Sequence, residues 1–278
     1  MKSRLFSVAM MFLLSLTLFL IHSEKAMAQR ARFEVTLFRF TVNHETRDDV
    51  LQRDGAGDEV SFSRMVRLYN RRTGGEKILS GDDFTPTRGQ MPPNPIRAGH
   101  AASNGGLKSG DDVLTGPHIP LFSGELIRGE NAVIILLSVW EMDGRYELQN
   151  AYANALENFM PDMESLADRV ALNSPPSNVM VRDFDWNARL PAGSIPAIDV
   201  FLTDGPLGLG DPKDRPIGMV RRGNRYSFIP KLMILNFDNA SRAADTNEGS
   251  GLGVIKISYT DDQRLAGDYT LYVRIRRV

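Results

Sequence analysis

The chain has 278 residues, a net charge of −1, 42% hydrophobic residues and no cysteine. A near-neutral balance gives no global attraction to nucleic acid or anionic lipid, and the missing thiols exclude disulfides, thiol catalysis and cysteine-ligated zinc or iron–sulfur centres. This length can bury a large core as one domain or as two small lobes.

Lys2 and Arg4 precede an apolar run over residues 5–21 and a polar patch ending in Ala26-Met27-Ala28. Charge, apolar stretch and small-x-small site in that order mark a secretory signal peptide, with cleavage expected after Ala28. A retained membrane anchor is the alternative, and its apolar run lies near the lower limit of roughly 17–25 residues needed to span a bilayer. No later run is long enough, residues 132–140 being the best. The remainder is therefore expected to be secreted or periplasmic, with no membrane span after cleavage. Oxidising compartments normally favour disulfides, so a cysteine-free exported chain must draw its stability from core area and from any metal it holds.

Residues 32–42 alternate as a strand, but Phe33, Val35 and Leu37 share one parity while Phe38, Phe40 and Val42 share the other. A β-bulge at Leu37-Phe38 would absorb that change of phase, since an unbroken strand would turn half its apolar residues to water. Residues 43–59 read as a polar loop. Val60, Phe62, Val66 and Leu68 then alternate with Ser61, Ser63, Arg67 and Tyr69, which predicts a strand with one wet face. Residues 82–120 hold prolines 86, 92, 93, 95, 117 and 120 and read as a long irregular excursion with a short strand hidden in it.

Order returns at Leu121. Residues 132–140, AVIILLSVW, are apolar on both parities and predict a central strand covered on both faces. Leu148, Tyr152, Ala155, Leu156 and Phe159 fall on one helical face, and Met163, Leu166 and Val170 continue the pattern after Pro161. Strands are expected near residues 179–186, 195–202, 226–237 (an edge or bulged strand because of Pro230) and 254–259, with a polar connection over 238–251. The last strand places Tyr269, Leu271, Val273 and Ile275 inward, and Thr270, Tyr272, Arg274 and Arg276 outward.

Together these spacings predict an all-β, mainly antiparallel β-sandwich-like fold of roughly eight strands, with a short helical insertion around residues 146–172. One β-rich domain over residues 29–278 is expected. The alternative is a lobe break within 82–120 or 173–178.

The acidic loop after residues 197–202 carries Asp204, Asp211 and Asp214, with Gly205, Gly208 and Gly210 free to turn carbonyls inward. Calcium takes six to eight oxygens of this kind, so these aspartates are the candidate metal ligands and Ca²⁺ the candidate cofactor. The alternative is a set of solvated turn aspartates. Strand, acidic loop and Asp214-Arg215-Pro216-Ile217-Gly218 are locally similar to the calcium loops of C2-type β-sandwich domains. The sequence departs from that pattern at Gly205-Pro206, where the family has a second aspartate. Asp54, Asp58 and Glu59 lack the ligand spacing of an EF-hand. Asp238, Asp245 and Glu248 form a third acidic group.

Glu141 and Asp143 are the candidate carboxylate pair for acid–base work, with Trp140 and Tyr146 as sugar-lining aromatics, on the pattern of a glycosidase. The alternative is a strand end leading into a turn. His44, His100 and His118 have no metal-ligand spacing, and neither a nucleophile elbow nor a phosphate-binding glycine loop occurs. Arg71-Arg72, Arg221-Arg222 with Arg225, and Arg274 with Arg276-Arg277 are basic clusters. They suit an anionic polysaccharide or an acidic partner, or serve to keep strand edges soluble. Asn239-Ala240-Ser241 matches a glycosylation acceptor.

Two functions follow as expectations. The first is an exported binding or structural protein that engages a protein or glycan at the cell surface, stabilised by calcium in the 204–214 loop. The second is a secreted hydrolase using Glu141 and Asp143.

Overall fold

A computed structural model describes residues 29–47, 57–71, 75–84, 106–141, 180–183, 215–223 and 225–278. Its strands are β1 (Arg30–His44), β2 (Val60–Asn70), β3 (Gly75–Phe84), β4 (Asp112–Ile127), β5 (Asn131–Glu141), β6 (Met180–Asp183), β7 (Arg215–Pro216), β8 (Met219–Arg222), β9 (Arg225–Phe228), β10 (Lys231–Asn236), β11 (Val254–Thr260) and β12 (Asp268–Arg277). One helix, α1 (Phe237–Ala244), is found among the described residues. Every strand pairing is antiparallel. The fold is all-β, as the alternating pattern predicts.

Two sheets carry the structure. A four-stranded sheet runs β11-β12-β1-β4, and a larger one runs β3-β2-β5-β10-β6 with β7 added to β5; β8 and β9 form a separate hairpin. The sheets share a single core in which Phe33, Val35, Leu37, Phe40 and Val42 of β1 meet Phe62, Val133, Ile135 and Val139 of the larger sheet. The Phe40 and Phe62 rings pack edge to face at 5.1 Å, a geometry favoured by their quadrupoles. Polar ties cross the same gap: the buried Tyr259 hydroxyl donates to the Leu137 carbonyl and accepts from Lys231 N at 3.0 Å. Burial pushes the Tyr259 phenol well above its ordinary pKa.

The bulge expected at Leu37-Phe38 is present. The register of β1 shifts between Leu37 and Arg39 against both of its neighbours. Leu37 and Phe40 therefore stay in the core, while Phe38 leaves it to pack with Val254 and Tyr272 on the opposite face. β4 bulges at the same level, where the register jumps from Ile119 to Leu114 and the Thr115 hydroxyl donates to the Leu37 carbonyl at 2.8 Å. A carbonyl freed by the irregularity is thus satisfied, as a buried polar group requires.

Four expectations need correction. The excursion over residues 82–120 does hold strand, but more than the short one expected: 82–84 end β3 and 112–120 are the first half of β4; an edge strand with a bulge tolerates Gly116, Pro117 and Pro120, because the missing N–H need not serve a ladder. The face of β2 expected to be wet is covered, with Ser61, Ser63 and Arg67 all buried. Pro230 does not make an edge strand. It separates β9 from β10, and β10 lies between β5 and β6. The polar connection after Phe237 contains α1, whose start is fixed by a reciprocal cap: Asn236 Oδ1 accepts from Asn239 N at 2.9 Å and Asn239 Oδ1 accepts from Asn236 N at 2.8 Å. An asparagine at both positions satisfies two orphan amides without the Ser/Thr and Glu/Gln signature.

β5 is the central strand expected from its two apolar parities, buried at every position between β2 and β10. The helical pattern of residues 146–172 and the strand expected at 195–202 lie outside the described residues, as does the signal peptide expected over residues 1–28. No helix among the described residues is long and apolar enough to cross a membrane.

Candidate functional site

The carboxylates divide into those used inside the sandwich and those left at its surface. Asp58 is buried, accepting from Thr46 N at 2.9 Å, from Thr46 Oγ1 at 2.7 Å and from the Tyr269 hydroxyl. It ties the strand entry before β2 to β12. Asp261 is the counterpart at the β11–β12 turn. It accepts from Arg215 Nη1 at 2.8 Å, Gly218 N at 2.7 Å and Met219 N at 2.8 Å. Three donors converging on one buried carboxylate offset the cost of removing its charge from water.

That brace includes part of the predicted calcium motif. Arg215-Pro216-Ile217-Gly218 lies in the core, with Gly218 at φ +109 beside the Tyr259 ring. Asp204, Asp211 and Asp214 lie outside the described residues. No group of three or more metal-ligating side chains occurs among the described residues. The third acidic group does not converge: Asp238 pairs with Arg128, Asp245 pairs with Arg277 at 3.5 Å, and Glu248 lines a groove.

Glu141 is 2% exposed and its Oε1 accepts from Glu59 N at 3.3 Å. Its proposed partner Asp143 lies outside the described residues, as does Tyr146. Trp140 is wholly buried, donating from Nε1 to Ser138 Oγ at 3.0 Å and tilting against Phe228. A tryptophan enclosed in this way offers no platform to a sugar, which corrects its expected role in a cleft. Asn239 is also fully buried, with both ends of its amide engaged by backbone groups. The acceptor triplet is therefore structural.

Among the described residues, the open sheet face is the outer side of β11-β12-β1-β4. The bulge in β1 places two successive residues, Phe38 and Arg39, on this side. Arg39 lies over the Tyr272 ring at 4.1 Å and Lys256 Nζ approaches the same ring at 5.7 Å. Arg274 lies over the Phe38 ring at 4.0 Å, and His118 meets that ring edge-on at 6.1 Å. Each cation is drawn to the negative face of a ring. The Tyr272 hydroxyl is held below its ordinary pKa: burial acts against this, and hydrogen bonds from Arg39 and Thr41 with the Arg39 and Lys256 charges outweigh it. Burial and the neighbouring Arg276 charge pull the Arg274 guanidinium down.

At the β11 edge the face runs into a groove of about 340 Å³ between β6, α1 and β11, where Val181 and Ile255 supply apolar walls and Arg242, Glu248 and Lys256 the charges. Arg274 and Arg276 stand out in the sequence as part of a basic cluster, whereas Arg39 and Lys256 do not. The available signal was the phase change at Leu37-Phe38, which sends Arg39 to the same side as Arg274. No protein-family model, curated protein or solved structure matches this chain.

Proposed function

We propose that the chain is an exported binding protein without catalytic activity. Its binding surface is the outer face of the four-stranded sheet together with the groove beside β11. One observation carries this reading: the buried Asp58 and Asp261 tie separate strands together, whereas Arg39, Lys256 and Arg274 lie over aromatic rings on an open sheet face. Acid–base catalysis needs carboxylates at an accessible cleft, and Glu141 and Asp58 are inside the sandwich.

Export rests on the order of charge, apolar run and Ala26-Met27-Ala28 in the sequence. Intact-mass analysis of the protein after cell fractionation tests it. A product beginning at Gln29 in the periplasm or medium is expected, and a full-length product in the cytoplasm would refute export. Calcium binding rests on Asp204, Asp211 and Asp214 as hard oxygen donors. Calcium is expected to raise the melting midpoint of the wild-type protein and to leave that of Asp204→Asn with Asp211→Asn unmoved; equal shifts in both would dispose of the metal site.

A further inference from the structure

We infer that the outer face of β11-β12-β1-β4 binds an anionic polysaccharide through Arg39, Lys256, Arg274 and Arg276. The inference rests on the binding reading above and names its ligand.

Position in the sheet comes first. Arginines that protect a sheet from aggregation belong on its edges. Arg39 is on β1 and Arg274 and Arg276 are on β12, and these are the two inner strands of this sheet. They stand on a face, where shielding an edge is not needed. The registers Arg39↔Tyr272 and Tyr272↔Lys256 put Arg39 and Lys256 in one row across three strands. At strand spacings of about 4.8 Å, the row places these two cations about 10 Å apart. Arg274 and Arg276 are two residues apart on one strand, separated by about 7 Å. The result is a two-dimensional array of positive charge.

The array is ordered before any ligand arrives. Arg39 and Arg274 rest on Tyr272 and Phe38, and the rings themselves are buried beneath them. A side chain already held against a ring loses less rotamer entropy on binding than a free one. Guanidinium forks match carboxylate geometry. The array is also undercompensated. Asp112 pairs with Arg39 at 3.1 Å, and Glu34 lies opposite Arg276 in the register, both near the ends of the array. An anion laid across the middle would relieve the repulsion between Arg274 and Arg276.

The face also selects against a peptide. Strand addition needs free backbone donors and acceptors at an edge, and the backbone groups behind a sheet face are committed to the ladders. Recognition must use the ligand's own charges, repeated along a chain. A polysaccharide with a carboxylate on its rings provides this on a stiffer chain than polyglutamate, so it loses less conformational entropy when laid on the face, and it is a polymer met outside the cell, the destination proposed above.

The test is a titration of the purified protein with polygalacturonate, neutral dextran and polyglutamate, followed by calorimetry. Polygalacturonate is expected to bind, dextran not to bind, and polyglutamate to bind at least about tenfold more weakly; raising salt from about 0.05 M to about 0.5 M should weaken the first by about tenfold or more. Arg274→Gln with Lys256→Gln should cost about tenfold in affinity while the melting midpoint stays within a few degrees. Should the pair disturb folding, the exposed Lys256→Gln alone should still cost about threefold. No binding of polygalacturonate, or equal binding of polyglutamate, overturns the ligand; binding untouched by the substitutions overturns the face. Shortening of the polymer during incubation would instead refute the non-catalytic reading and leave the face standing.

Discussion

Replacing Asp261 with asparagine isolates the charge of the buried brace, because the two side chains have the same shape. Asp261 and Arg215 are both buried, and their contact is 2.8 Å. Asparagine keeps one carbonyl oxygen for the amides of Gly218 and Met219, but turns a neutral group toward a guanidinium that cannot discharge. Withdrawing one partner from a buried pair costs about 3–5 kcal/mol, a large share of a total stability of about 5–15 kcal/mol. With a urea dependence of roughly 3 kcal/mol per molar, the unfolding midpoint should fall by about 1–1.7 M. Equilibrium urea unfolding followed by tryptophan fluorescence reads it directly, since Trp140 packs against Phe228, which stacks on Tyr259 near the brace. A fall below about 0.3 M with an unchanged slope would show that Arg215 does not depend on this carboxylate, and the brace would lose its role.

Tyr269→Phe removes the hydroxyl that donates to Asp58 and should cost about 1.5–3 kcal/mol by the same assay, as expected for a hydrogen bond to a charged group. Gly218→Ala forces a side chain into a backbone at φ +109 and sets its Cβ 2.8 Å from Tyr259 Cδ1, whereas Gly129→Ala at φ +71 meets nothing within 4 Å. The first should therefore lose about 1–3 kcal/mol more than the second, the difference being the cost of overpacking; equal losses in denaturant would mean that the ring simply moves aside. Tyr259 gives a pH signature. Its folded pKa is raised above the unfolded value of 10.0, so its contribution is fully present below that pH and is lost as pH rises beyond it. Tyr259→Phe should flatten the decline of stability above about pH 10 by up to about 1.4 kcal/mol per pH unit, and an unchanged slope would contradict it.

Much of the sandwich was legible because its inner faces follow a period of two. β12 carries Tyr269, Leu271, Val273 and Ile275 inward and β5 is apolar on both parities, as their sequences state. The errors occurred where a backbone rule yields to tertiary context. Prolines mark irregularity only if their N–H is missed, and in β4 they fall on an edge strand interrupted by a bulge. Ser61, Ser63 and Arg67 look like a wet face, yet they are buried, because burial depends on what lies over a strand and the strand's own residues cannot report that. The carboxylates misled for a similar reason. Asp58 and Asp261 reach their donors through partners 211 and 46 residues away in sequence, so spacing along the chain gave no hint that they were structural.

The proposed binding surface has the same origin as the bulge that the sequence pattern predicts. A strand that alternated without interruption through Leu37, Phe38 and Arg39 would return Arg39 to the core side and leave Phe40 in water. The extra residue at the bulge reverses the phase for everything after it, so Phe40 and Val42 remain buried while Phe38 and Arg39 both face outward. Phe38 then supplies the ring under Arg274, and Arg39 covers Tyr272. Packing alone would be satisfied by a regular strand with its apolar residues kept in one phase. The bulge instead keeps the core and adds an aromatic floor on the opposite side, to which two arginines are fixed. That coupling makes the core and the cationic face consequences of one local irregularity in β1.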